Sequence, residues 1–127
     1  MKLVEVDVSK ICPTMDNFSE GVYARTIAMP KGAIIVGKKH KTRHLNIIVQ
    51  GSARVWIEGE VRIIEAPYIF ESKENCRKVL YIEEDMLWTT IHVTDETDTN
   101  IIEKHIISDE PLIGFNNIIK ELECLGL

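Results

Sequence analysis

Apolar and acidic positions alternate near the start of the chain: Val4, Val6 and Val8 share one face, Glu5 and Asp7 the other. That period of two predicts a half-buried strand over residues 3–8. Residues 9–20, with Pro13, Asn17 and Ser19, read as a loop or irregular turn. Residues 23–29 are β-rich, Pro30-Lys31-Gly32 has turn chemistry, and residues 33–36 read as a short buried strand. The centre is dense in strands. One covers residues 45–50, Gly51-Ser52 turns it, and residues 53–57 return. Glu58-Gly59-Glu60 makes the next tight turn, where glycine accepts the positive φ such turns demand. Residues 61–65 follow, and Pro67 opens another strand, where its missing N–H costs least. After a polar loop at 72–77, residues 79–82 and 87–93 are strands joined by Glu83-Glu84-Asp85. Short strands at even spacing, with turn signals between them, predict a sandwich or barrel.

The tail changes period. Asp109-Glu110-Pro111 has the form of a helix start, and Phe115, Ile118, Ile119, Leu122 and Leu125 recur at helical spacing. A C-terminal helix over about 110–125 is predicted, its apolar stripe packed on the barrel or on a second subunit. Residues 97–107 fit two states. Asp95 or Thr97 suits a helix cap, whereas Ile101-Ile102 and Ile106-Ile107 suit strands.

Length and charge then bound the possibilities. A chain of 127 residues suits one domain with its own core. A net charge of -5 argues against a duplex nucleic acid as partner. The local run Lys38, Lys39, Lys41 and Arg43 reads as a solvated loop. Cys12, Cys76 and Cys124 are far apart and form no Cys-x-x-Cys pair, which excludes a zinc ribbon and a disulfide framework. Reduced thiols fit a cytoplasmic protein. The N-terminus carries charges where a signal peptide needs an apolar run, and no stretch of about 18 apolar residues exists, so no membrane partner is expected.

The chemistry concentrates at two histidines four residues apart, His40 and His44, ahead of an apolar run closed by Gly51. In a strand beginning at His44, the side chains of His44, Asn46 and Ile48 point one way. Trp88, Thr90 and His92 likewise share a face. A barrel lumen holding His44, Asn46, Thr90 and His92, with Trp88 as an apolar wall, has the makings of a ligand pocket. His40 reaches in from the strand mouth, and Arg77 and Lys78 can meet an anionic ligand there. Three imidazoles, from His40, His44 and His92, on a divalent ion with positions open to water suit zinc, iron or nickel. A metal site, a metal-free polar pocket and purely structural histidines are all open at this level. His105 reads as a surface residue, Glu83-Glu84-Asp85 as a solvated turn, and Glu65 and Glu71 lack a paired carboxylate. No nucleophile context and no glycine-rich phosphate loop is present, so no catalytic residue is indicated.

The stretch from Gly37 through His40, His44 and Asn46 to Gly51 resembles the first motif of the cupin superfamily. That pattern is Gly, five residues, His-x-His, three residues, Glu, six residues, Gly. Aligned on Gly51, the second histidine falls on His40, the glutamate position on His44, and the first histidine position on Lys38, an ammonium that cannot ligate. Where the second motif supplies a histidine after a Pro-x-Gly turn, Pro67 is followed instead by Arg77 and Lys78. Tyr23-Ala-Arg25, Met29-Pro30-Lys-Gly32, Val36-Gly37-Lys, His40-Lys-x-x-His44-Leu-Asn46 and Trp88-Thr-Thr90-Ile-His92 are similar to small cupin-like proteins of bacteriophages and prophages. The resemblance implies a single all-β domain, a cupin-like barrel or double-stranded β-helix with its core over about residues 22–93 and a C-terminal helix. It implies a non-catalytic small-molecule-binding protein, one that sequesters a host metabolite or signal. The alternatives are a metal-dependent isomerase or dioxygenase, and a structural or interaction module. A homodimer or higher homo-oligomer is expected through the strand at 3–8 and the stripe of the tail helix.

Overall fold

The computed structural model describes residues 12–124. The strand predicted over 3–8 and the last stripe residue, Leu125, lie outside the described residues. Two long strands, β5 (His44–Ile57) and β8 (Lys78–Val93), frame the molecule. They pair antiparallel from Leu45 opposite Ile91 to Ile57 opposite Lys78, with register slips between Ile48 and Ala53. The other strands divide at those slips. The first half of β5 takes β7 (Tyr68–Ser72), and the second half of β8 takes β2 (Val22–Met29), which carries β1 (Thr14–Ser19). The second half of β5 takes β6 (Glu60–Glu65), and the first half of β8 takes β3 (Ile34–Val36). Two wings therefore share the same two strands.

Ile48, Trp88 and Met29 from one wing pack in a single buried cluster with Ala53, Val55, Leu80, Ile82 and Ile64 from the other. The wings face each other across this core, so β5 and β8 each double back. Both ends of each long strand come to one mouth, and the bends lie at the far end.

The bend corrects two expectations. Gly51-Ser52 and Glu83-Glu84-Asp85 do not close hairpins; each lies inside a continuous strand, with Ser52 opposite Glu84 in the ladder. Arg54 bonds Glu83, and the Lys31 amide donates to the Asp85 carboxylate at 2.8 Å, so the acidic residues are tied down. β5 does reverse into β6 through a hairpin at Glu58-Gly59, with φ of 43° and 90°. Residues 14–19 are a strand rather than a loop. All six are exposed, so β1 is held by its ladder to β2, which leaves no hydrophobic period to read.

The tail divides into a strap and a helix. Helix α1 (Thr99–Ile106) is capped by Asp98, whose carboxylate accepts from the Asn100 amide at 2.9 Å; β9 (Ile107–Ser108) then pairs with β4 (Lys39–His40). The segment at 97–107 is thus helix and then strand, and its cap is neither Asp95 nor Thr97. Helix α2 (Phe115–Cys124) starts after Gly114, five residues later than Asp109-Glu110-Pro111 suggests. Glu110 is used elsewhere: its carboxylate pairs with Lys39 at 2.7 Å and its carbonyl accepts from Arg77. Ile118, Ile119 and Leu122 bury against Val79, Trp56 and Ile34 on the outer face of the second wing. Each such side chain contributes roughly 1.5–3 kcal/mol. The stripe covers the barrel itself.

Candidate functional site

The antiparallel ladder of β5 and β8, which sets Leu45 opposite Ile91, brings His44, at the start of one, beside His92, near the end of the other. Alternation turns both inward, on the same faces as the buried Asn46 and Trp88. His40 enters from β4, which is held by backbone bonds to Cys76 on one side and by β9 on the other. The three rings form a cluster, with centroids 4.5 Å apart for His40–His44, 4.8 Å for His44–His92 and 5.7 Å for His40–His92.

Hydrogen bonding fixes two tautomers. His40 Nδ1 lies 3.1 Å from the Lys38 carbonyl, and His44 Nδ1 lies 3.2 Å from the Thr42 carbonyl. A carbonyl only accepts, so each Nδ1 carries the proton and each Nε2 carries a lone pair. His44 Nε2 and His92 Nδ1 are buried without a partner among the described residues. Burial is also the main reason the rings stay neutral. It depresses His40 to about 3, helped by His44, Lys78 and His92, and His44 to about 4, helped by Lys78. His92 falls to about 4 through burial, then His44, Arg25 and Lys78.

A histidine fixed by a backbone carbonyl on one nitrogen and free on the other is the usual form of a metal ligand. An ion bound at about 2.1 Å stands roughly 3.2 Å from a ring centroid, so neighbouring ligand rings sit about 4.5–5.2 Å apart. The observed spacings fall in or near that range. The tilts do not: His40 and His92 lie within 7° of parallel, and among the described residues no three His, Cys, Asp or Glu side chains are already placed to hold an ion. The donor set and spacing fit a divalent ion, and seating it requires a ring to turn. His92, whose ring makes no hydrogen bond among the described residues, is free to do so.

The remaining site residues separate. Asn46 is committed to structure: its amide donates to Ser72 Oγ at 2.8 Å, and its oxygen accepts from Trp88 Nε1 at 3.0 Å. Asn46 and Trp88 form a wall rather than a free ligand group. Thr90 is half-buried opposite Asn46. Lys78 shares the inward face of Leu80 and Ile82, and its charge is felt by all three imidazoles. Arg77 is turned elsewhere, bonded to the Glu110 carbonyl, and holds the strap onto the barrel. His105 is exposed. Two participants escaped the sequence reading. Tyr23 stacks on His92 at 6.0 Å and donates to Asp16 at 2.6 Å, while Ser72 completes the Asn46 network. Both share the inward parity of their strands, which was the available signal. A separate open cleft of about 320 Å³ lies at the bend, lined by Met29, Gln50, Asp85 and Leu87 and by no histidine.

No protein-family model matches the chain, and no curated protein matches it. Solved structures do. KdgF from Halomonas sp. superposes with a TM-score of 0.62 at 19% identity, over 75% of this chain and 90% of that one. An RmlC-like cupin family protein with a double-stranded β-helix fold, from Methanocaldococcus jannaschii, gives 0.57 at 14% identity, over 75% and 92%. The DMSP lyase DddQ from Ruegeria pomeroyi gives 0.53 at 18% identity, over 63% and 42%. Two bent strands shared by facing wings, a closing helix and these likenesses make the fold that of the cupins, a double-stranded β-helix.

Proposed function

We propose that this chain binds a small molecule at the barrel mouth, with a divalent transition-metal ion held by His40, His44 and His92 as the anchor. One observation carries the reading: within the three-imidazole cluster, His44 Nε2 and His92 Nδ1 are buried and have no partner among the described residues. Leaving such a nitrogen unsatisfied costs roughly 1–3 kcal/mol, which an ion or a ligand donor removes. A bound ion would supply Lewis acidity and a fixed point for an oxygen-bearing ligand. The chain's own part is to present neutral rings, fix two of them through the Lys38 and Thr42 carbonyls, and exclude water with Asn46, Trp88 and Tyr23.

The reading is of binding rather than turnover. The groups that act on the three rings are histidine, lysine and arginine, which suit the holding of an anionic or oxygen-bearing ligand. The resemblance to phage-encoded cupin-like proteins accords with holding a host metabolite or signal. Elemental analysis tests the anchor directly. Untagged protein is expected to carry close to one equivalent of zinc, iron or nickel, and His44→Ala less than a tenth of that. Untagged protein that stays metal-free after incubation with each of these ions would falsify the anchor.

A further inference from the structure

We propose that the mouth receives a small oxyanion, a carboxylate or a phosphate, whose charge is met by the Lys78 ammonium beside the three imidazoles. The inference rests on the cluster being a binding site and names the class of ligand it takes.

Lys78 begins β8 opposite Ile57, and the alternation that puts Leu80 and Ile82 into the core turns Lys78 to the same side. Its backbone is fixed there. The Gly37 amide donates to the Lys78 carbonyl at 2.9 Å, and a Cβ on Gly37 would lie 2.8 Å from that oxygen. Lys78 is 9% exposed. The ion pairs of the described residues use Lys31, Lys39, Lys73, Arg25, Arg43, Arg54 and Arg62, and none uses Lys78. An ammonium on a largely buried lysine without a paired carboxylate is expensive to hold.

Among the described residues no carboxylate pairs with Lys78, and the one acidic group that acts on it is the Cys76 thiol. His44 stands where the cupin pattern has its glutamate, so the cluster is neutral. A divalent ion on the three rings would deepen the deficit. Whatever binds must therefore bring negative charge, and its oxygens must satisfy an ammonium while the imidazole lone pairs meet an ion or a hydroxyl hydrogen. Burial holds Lys78 below the ordinary ammonium range, as expected for a site completed from outside. The other buried cation, Arg77, bonds the Glu110 carbonyl through one guanidinium nitrogen and leaves its Nε without a partner among the described residues.

The test compares wild type with Lys78→Met by thermal melting at constant chloride ionic strength. Chelator-treated protein is titrated with inorganic phosphate and with glycolate, and zinc-loaded protein with glycolate alone. Wild type is expected to melt higher with one oxyanion in the millimolar range, and the stronger probe tells phosphate from carboxylate. In Lys78→Met that affinity is expected to fall at least tenfold. The ligand-free Lys78→Met protein is expected to melt several degrees above wild type, because an uncompensated charge is gone; Lys78→Gln serves if the methionine does not pack. Failure of both oxyanions to stabilise wild type overturns the proposal, and so does an equal response in the variants. If zinc binds but no oxyanion does, this inference fails and the metal anchor stands. If a Lys78-dependent oxyanion effect survives in protein that takes no metal, the anchor fails and this inference stands.

Discussion

Chelator-treated protein is expected to lose its fold as the pH drops from about 6.5 to about 4. His40, His44 and His92 are neutral when folded, depressed to about 3, 4 and 4 chiefly by burial. Unfolded, each has an ordinary histidine pKa near 6.5. Below that value the unfolded chain binds more protons than the folded one, so stability falls with pH. The contribution is intact above about pH 6.5 and is lost on the way down to the folded pKa values. At pH 5 the loss is about 2 kcal/mol for each ring, roughly 6 kcal/mol together. That matches the whole stability of a modest domain, about 5–15 kcal/mol. Urea unfolding at pH 7.5, 6 and 5, followed by circular dichroism, should show the midpoint collapsing. His44→Leu should remove about a third of the slope. Stability that stays flat from pH 7.5 to 5 is incompatible with three buried neutral rings.

Gly51→Ala is expected to lose much of the protein's stability, where Gly59→Ala is merely weakened. Both glycines have nearly the same backbone, with φ of 89° and 90°. Their surroundings differ. At Gly59 a Cβ meets nothing within 4 Å; at Gly51 it lies 2.2 Å from the Asp85 carbonyl oxygen and 2.8 Å from Met86 Cα. The left-handed conformation alone costs alanine about 1–2 kcal/mol. The clash adds at least the roughly 1–3 kcal/mol of an overpacked site, because two backbones must part. The expected losses are about 1–2 kcal/mol for Gly59→Ala and roughly 2–5 kcal/mol for Gly51→Ala. Equal losses in the two variants would show that β5 and β8 do not touch at their bends.

What a single sequence could reveal follows the range of each signal. Alternation in His44-Leu-Asn46 and Trp88-Thr-Thr90-Ile-His92 is local, so the inward residues were readable before any partner strand was known. Glycine at 51 and three acids at 83–85 look like hairpin turns, because a chain that bends and one that reverses use the same residue types. Only the ladder distinguishes them, with Ser52 opposite Glu84. The separation of Arg77 from Lys78 hung on one residue of register: neighbours in a strand point apart, and only the strand's start assigns the inward side. Helix α2 was legible in its stripe but not in its start. Glu110 and Pro111 carry good helix-start chemistry, yet Lys39 and Arg77, distant in sequence, claim Glu110 for the strap.

The shared ladder of β5 and β8 also sets the order in which the mouth is built. Pairing Ile57 with Lys78 closes a chain loop less than half as long as pairing Leu45 with Ile91. Closure costs about 0.6 kcal/mol more for each doubling of loop length, so the ladder starts at the Lys78 end. From there it passes the bend at Gly51 and finishes where His44 meets His92. Lys78 is in place first, and the imidazoles meet last. An ion held by those rings, as proposed, would find its site only on the finished fold, too late to guide the search. It would then leave the rate of refolding unchanged and lengthen only the lifetime of the native state.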